Sequence, residues 1–234
     1  MKIAPLPFIG KRKDTPESII AAFFDVDGTL LKENTSILFL KHFYKDKKIR
    51  TEFLLRAIYY NFLHKINCLS FEELSHFSLG FMKDQDIKEL KNNIKYYFEK
   101  DIKYKISKKM ISIIRKHRGE NHLIVLLTSS PSIIIENFKN YLNADYAITS
   151  LIETKDGKLT GKFKAICYKD KKYELFKAFS KRKNTNLKES YFYTDSCSDL
   201  KVLESVGYPI AVNPKRNLKK IAINKKWKII ELGD

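Results

Sequence analysis

Ile19-Ile20-Ala21-Ala22-Phe23-Phe24 runs straight into Asp25-Val26-Asp27-Gly28-Thr29, so a short apolar stretch stops at an acidic turn. That pattern reads as a buried strand delivering Asp25 to its carboxyl end. Leu123 to Leu127 is a second such run, and it ends at Thr128-Ser129-Ser130-Pro131. Shorter strands are expected around Tyr146 to Ile148, at Tyr191-Phe192-Tyr193 before Asp195, and at Pro209 to Val212 before Asn213-Pro214. Helical patterns separate them: Ile133 to Leu142, the stretch holding Leu175 and Phe179, and a helix closed by Gly207. Residues 151–163 alternate around Asp156-Gly157, a hairpin signal. Strands alternating with helices imply an α/β fold with a parallel sheet covered on both faces, because parallel neighbours need a crossover.

Between the first two strands the chain changes character. Residues 36–44, 53–63 and 86–98 carry apolar positions at helical spacing, with Ile87, Leu90, Ile94, Tyr97 and Phe98 the cleanest stripe. Ser70 with Glu73 three residues on reads as a capping box. The expected division is a core of 17–30 plus 119–234, a helical insertion at 31–118, and a peripheral lead-in at 1–16 marked by Pro5, Pro7, Pro16 and Lys11-Arg12-Lys13.

The chain has 234 residues, enough for one substantial core, and its 13% aromatics exclude a wholly disordered or collagen-like polymer. Forty-five Lys and Arg against 27 Asp and Glu leave +18, so polyanions are attracted at low salt. The longest apolar runs fall far short of the ~18 residues that span a bilayer. The amino-terminal apolar run precedes its basic cluster, the wrong order for a secretory signal, and the expected location is cytoplasmic. Cys68, Cys167 and Cys197 are widely spaced and read as reduced thiols. Residues 53–65 are too apolar for a narrow amphipathic face, and the expectation is a buried helix, with Phe53, Leu54, Ile58 and Phe62 inside the insertion. The alternative is an exposed surface for acyl chains, with Lys41, Lys45, Lys47 and Lys48 docking it on anionic lipid. The Lys-rich tracts at 41–50, 100–118 and 215–228 also suit a solvated face.

Ligands of an open parallel sheet bind outside the carboxyl ends of its strands. There the expected strands place Asp25 and Asp27, Thr128 with Ser129, and Asp195 with Asp199. Acids so close repel one another, which makes a hard cation the natural partner, and carboxylates with water suit Mg2+. Lys169 to Lys172 offers a base for an anionic ligand. No G-x-x-x-x-G-K-[ST] is present, so a P-loop is excluded. A cysteine phosphatase needs Arg six residues after its Cys, where this chain has Leu74, Tyr173 and Leu203. His42, His64, His76, His117 and His122 show no metal-ligand pairing along the sequence and read as surface or packed residues.

Four ordered segments, 25–29 (DVDGT), 126–130 (LLTSS), 171–175 (KKYEL) and 193–200 (YTDSCSDL), resemble the motifs of the haloacid dehalogenase (HAD) superfamily. With 156–161 (DGKLTG), 207–214 (GYPIAVNP) and Trp227, the resemblance narrows to the phosphoserine-phosphatase-like subfamily IB. It implies a Rossmannoid parallel sheet with helices on both faces and an inserted helical C1-type cap. It also implies a Mg2+-dependent phosphatase. Asp25 matches the nucleophile, Asp27 the general acid and base, and Lys172, with Lys171 as fallback, the lysine that stabilises the phosphorylated intermediate. Thr128 and Ser129, with Gly28, match the phosphate-binding positions; Asp25, Asp27 and Asp195 match the metal site; Asp199 orients metal water or Lys172. Two positions depart from phosphoserine phosphatases proper: Ser198 stands where Asn is usual, and Asn34 stands where a substrate-reading Glu is expected, with Glu33 one place early. The implied partner is a phosphorylated small molecule; phosphoserine, another small phosphomonoester and a lipid phosphate such as phosphatidylglycerophosphate are the candidates. The competing class is a basic protein binding nucleic acid or membrane on the same scaffold. No recognised nucleic-acid module supports it, and such a relative is expected to lose Asp25, Asp27 or Asp195, which are all present.

Overall fold

The computed structural model describes residues 8–10, 18–65, 68–80 and 82–233. Its strands, in chain order, are β1 (Phe8–Gly10), β2 (Ala21–Phe24), β3 (Leu123–Pro131), β4 (Tyr146–Lys155), β5 (Lys158–Ala165), β6 (Tyr191–Thr194), β7 (Tyr208–Val212) and β8 (Lys228–Ile230). Helices α1 (Thr35–Lys45), α2 (Thr51–Lys65), α3 (Phe71–Gly80), α4 (Ile87–Lys100) and α5 (Lys108–Gly119) lie between β2 and β3. The others are α6 (Ser132–Tyr141), α7 (Lys169–Arg182), α8 (Leu200–Leu203) and α9 (Arg216–Asn224). The sheet runs β1-β4-β3-β2-β6-β7-β8, with β5 paired to β4. Every pair from β4 to β8 along that path is parallel, whereas β1 and β5 run antiparallel to β4. This is the α/β, HAD-like architecture expected.

Strand residues alternate between two buried faces. Ala22, Phe24, Ile124 and Leu126 join Phe39 and Phe43 of α1, Ile94 and Phe98 of α4, Ile114 of α5 and Phe138 of α6. Ala21, Phe23, Leu123 and Val125 meet Phe176 and Phe179 of α7 and Leu218 of α9. With helices on both sides, the central strands β2 and, through Leu127, β3 leave no face for water, which is why they read as continuous apolar runs.

Local signals convert directly into structure. Asp156 and Gly157 both take positive φ, 51° and 77°, and close the expected β4–β5 hairpin. Ser70 and Glu73 form the reciprocal capping box: Ser70 N donates to Glu73 Oε2 at 2.8 Å, and Glu73 N donates to Ser70 Oγ at 3.1 Å. Three long-range features differ from expectation. Of the peripheral lead-in, Phe8–Gly10 is an edge strand of the sheet, while residues 1–7 and 11–16 lie outside the described residues. Past α9 the chain adds a last parallel strand, β8. Helix α5 packs on β3 and shares its cluster with the sheet.

The expected burial of the apolar segment fails for half of the residues named. Phe53 and Leu54 are half-buried, but Ile58 is 59% and Phe62 56% exposed. Helix α2 packs against α1 and α3, and its apolar residues circle the whole helix, so those turned away from these neighbours face solvent.

At the amino end of β3, His117 and His122 meet, their Nδ1 atoms 2.8 Å apart, while His117 Nε2 lies 2.8 Å from the Tyr193 hydroxyl. With Glu120 they bring three ligand atoms within 4.8 Å of one another. The absence of pairing expected along the sequence therefore does not hold here: Asn121 takes φ 61° and folds the chain back on the helix end. His64 and His76 have side chains outside the described residues. Burial first, then the neighbouring His122, depresses His117 to about 4 from 6.5. The unfolded chain therefore takes up this proton first, and the stabilisation present above pH 6.5 is lost as pH falls towards 4. The loss amounts to about 2 to 3 kcal/mol. Urea titrations check it: the stability gap between wild type and His117→Gln should narrow between pH 7 and pH 4.5, and a constant gap would rule His117 out as the titrating group.

Candidate active site

Strand β2 ends with its last amide bonds still in the sheet: Asp25 N donates to Tyr193 O at 2.9 Å. The Asp25 side chain is thus held at the strand mouth, with Oδ1 accepting from Val26 N at 2.8 Å. Lys172 reaches it from the first turn of α7, its Nζ 3.5 Å from Asp25 Oδ1 and 2.7 Å from Asp199 Oδ2. Thr194, the last residue of β6, donates to Asp199 Oδ2 at 2.8 Å. Lys171, one residue earlier, points away and pairs with Glu174 on the exposed surface at 2.9 Å. Of the two candidate lysines, only Lys172 touches the acids.

Asp27 points to the other side of the turn. Thr35 N donates to its Oδ1 and the Ser130 hydroxyl to its Oδ2, both at 2.6 Å, and the Thr35 and Ser130 hydroxyls lie 3.0 Å apart. Thr128 is fully buried and its Oγ1 accepts from Ser130 N at 3.2 Å. Ser129 lies beside the cavity described below.

Asp195 sits at the end of β6, against Gly28. Gly28 takes φ 76°, and a Cβ there would stand 2.5 Å from the Asp195 carboxyl carbon, so no side chain fits. Lys215 Nζ lies 3.0 Å from Asp195 Oδ2. Cys167 is buried close by, and its burial pushes the thiol up to about 12, which removes it as a nucleophile at neutral pH.

Electrostatics follow from crowding acids in a dry cleft. Burial, reinforced by Asp199, Asp195 and Asp27 against the pull of Lys172, pushes Asp25 up to about 8. Asp27 is also raised by burial, opposed by its bonds from Ser130 and Thr35. Asp195 is raised by burial, opposed by Lys215. For Lys172, burial favours the neutral amine, but Asp199 and Asp25 outweigh it and hold the ammonium above its ordinary range.

The fold thus brings together Asp25, Asp27, Gly28, Thr128, Ser129, Lys172, Asp195 and Asp199. Reading the sequence missed Thr35 and Ser130, which hold Asp27, and Lys215, which reaches Asp195 from inside a Lys-rich tract. Ser130 had a local signal, since it ends the same strand as Thr128. Lys215 had only its place just after the end of β7.

The haloacid dehalogenase-like hydrolase family matches residues 22–204. The chain belongs to that family and is a hydrolase. An inhibition of morphological differentiation protein of Streptomyces azureus is 26% identical over 215 residues, 90% of this chain and 78% of that one. A phosphoserine phosphatase of Mycobacterium tuberculosis is 25% identical over 233 residues, 97% of this chain and 75% of its own. Among solved structures, a Bordetella pertussis protein of unknown function superposes with a TM-score of 0.86 at 23% identity, covering 93% of this chain and all of that one (100%). A phospho-aspartyl intermediate analogue of phosphoserine phosphatase superposes with a TM-score of 0.66 at 19% identity, covering 93% of this chain and 95% of that one. No helix among the described residues is long and apolar enough to cross a membrane.

Proposed function

We propose that this hydrolase removes phosphate from a phosphomonoester through a covalent aspartyl phosphate on Asp25, with Mg2+ as its cation. The contact that carries this reading is the buried Asp25 carboxylate at the mouth of β2, with the Lys172 ammonium 3.5 Å away and itself anchored on Asp199. A carboxylate oxygen of Asp25 attacks phosphorus and forms the O–P bond as the bond to the ester oxygen breaks. Asp27 gives its proton to the departing alkoxide. In the second half a water attacks phosphorus, Asp27 takes the proton back, and the Asp25–phosphorus bond breaks to release inorganic phosphate. Burial supports Asp27 in this role because it raises the carboxyl towards the range where a proton is both held and given. Lys172 neutralises charge on the transferring group, and Thr128, Ser129 and Gly28 line its seat.

A divalent cation suits the donor set. Asp25 and Asp195 would supply carboxylate oxygens and Asp27 its backbone carbonyl, and all three acids are raised, the state of carboxylates short of positive charge. Gly28 gives the Asp195 carboxylate the room that a Cβ there would fill. When bound, the cation supplies neutralisation of the phosphoryl oxygens. In this reading α1 to α4, residues 31–101, act as the cap, with 102–118 joining the core of 17–30 and 119–234. The enzyme works in the cytoplasm in this reading, in keeping with three cysteines that form no disulfide.

Phosphate release from a panel of small phosphoesters, with and without Mg2+, tests the reading. Asp195→Asn should raise the Mg2+ concentration for half-maximal rate by more than ~10-fold. Asp27→Asn should leave that concentration near wild type and lower the maximal rate. Superimposable Mg2+ titrations for wild type and Asp195→Asn would remove Asp195 from the metal.

A further inference from the structure

Above Asp27 the cap and core enclose a cavity of about 140 Å³. Its walls are mainly apolar, with Phe39, Leu40, Phe53, Leu79, Met82 and Phe163 prominent, and Asp27 is the only charged residue among those described that line it. Three of the polar side chains there, beside Ser36 and Ser129, are already engaged. Asn34 caps α1 by accepting from Ile37 N at 3.2 Å, Ser78 donates to Leu74 O at 2.8 Å, and Ser130 donates to Asp27. Glu33, the nearest acid in sequence to the position expected to read an amino group, faces Lys105 at 3.7 Å instead.

Because Asp27 is the group that protonates the leaving oxygen in the reading above, the cavity beside it receives the alcohol half of the substrate. Among the described residues an amino-acid ester would find no cation there for its carboxylate, and the one acid, Asp27, already accepts from Thr35 N and the Ser130 hydroxyl, so a buried zwitterion would be poorly paired, which is unfavourable. A hydrocarbon chain meets no such penalty. The volume is on the scale of a cavity that admits a benzene-sized body, roughly six carbons.

Helix α2 joins this cavity to the outside. Phe53 and Ala57 line it, while Leu55, Ile58, Tyr59 and Phe62, at the i, i+3, i+4, i+7 spacing of one helical face, are 61%, 59%, 57% and 56% exposed. Arg56 is exposed on the same helix, and Lys45, Lys47 and Arg50, with one acid, Glu52, gather at its amino-terminal end. A large apolar face rimmed by cations, on a chain of net charge +18, has the chemistry of a helix lying in an anionic bilayer interface.

We propose that the substrate is the phosphomonoester of an amphiphilic alcohol, a lipid phosphate, taken up at an anionic membrane on which the α2 face docks, with the first part of its chain in the cavity beside Asp27. This substrate class rests on the phosphatase reading; the docking does not.

Two measurements decide it. Phosphate release is followed for n-alkyl phosphates of two to ten carbons and for O-phosphoserine. The expected kcat/KM rises about fourfold per methylene up to roughly six carbons, and O-phosphoserine is at least ~100-fold poorer than hexyl phosphate. Equal or faster turnover of O-phosphoserine overturns the substrate class and leaves the phosphatase standing. No release from any ester overturns both. Separately, sedimentation with phosphatidylglycerol–phosphatidylcholine vesicles should bind the wild type in a salt-sensitive way, and Ile58→Ser with Phe62→Ser should weaken binding at least ~10-fold with an unchanged thermal melt. Failure of the wild type to sediment overturns the docking. So does a wild-type dimer in analytical ultracentrifugation that this pair of substitutions makes monomeric, since a second copy would then cover the face.

Discussion

Asp25→Asn should lower phosphate release by at least ~10⁴-fold on every ester the wild type hydrolyses, because an amide nitrogen or carbonyl cannot form the acyl phosphate and no other buried carboxylate stands at the mouth of β2 with Lys172 beside it. The loss should be purely chemical. Asp25 is raised to about 8 by its surroundings, so its neutral form is already well tolerated, and Asn has the shape of that neutral acid. Its carbonyl can still accept from Val26 N, the bond that Oδ1 accepts now at 2.8 Å. Lys172 keeps Asp199. A melting temperature within a few degrees of wild type is therefore expected alongside the lost activity. Measurable turnover of any substrate above a few per cent of wild type would place the nucleophile elsewhere.

Lys172→Met should do both kinds of damage. The side chain is 3% exposed and is the counter-charge of two buried acids, Asp25 and Asp199. Removing one partner of a buried ion pair leaves the other uncompensated, at a cost of about 3 kcal/mol or more. Protonation of Asp25 limits that cost, so the lower end is expected, measured as a fall in the urea midpoint. Turnover should drop by ~10²- to 10³-fold through loss of a preorganised cation at the transferring phosphoryl group. Lys171→Met is the control. That lysine pairs with Glu174 on the open surface, where an ion pair contributes ~0 to 1 kcal/mol, and the variant should match wild type in both measurements. If Lys171→Met lost activity and Lys172→Met kept it, the site would have been assigned to the wrong lysine.

The proposed substrate class differs from what one relative's name suggests, and the cavity is the reason. A Mycobacterium tuberculosis relative is named a phosphoserine phosphatase, but the residues available here to grip a zwitterion are Asn34, which caps a helix, and Glu33, which pairs with Lys105.

How far the sequence alone reaches depends on the range of the interaction. An apolar run that stops at an acid is a local event, so the ends of β2, β3 and β6 announced Asp25, Thr128 and Asp195, and a parallel sheet has to collect strand ends along one edge. The hairpin at Asp156-Gly157 and the Ser70–Glu73 cap were legible for the same reason, since each is completed within four residues. Tertiary structure decided what hangs on contacts between distant segments. Thr35 holds Asp27 because α1 begins where the turn after β2 leaves room. Lys215 finds Asp195 from the end of the neighbouring strand, and nothing in a Lys-rich tract distinguishes one long, flexible cation from its neighbours. His117 meets His122 through one positive-φ turn at Asn121. Helix α2 has apolar residues on all sides, so its periodicity carries no direction. Only the placement of α1 and α3 determined that Phe53 and Ala57 turn inward to the cavity while Leu55, Ile58, Tyr59 and Phe62 face outward.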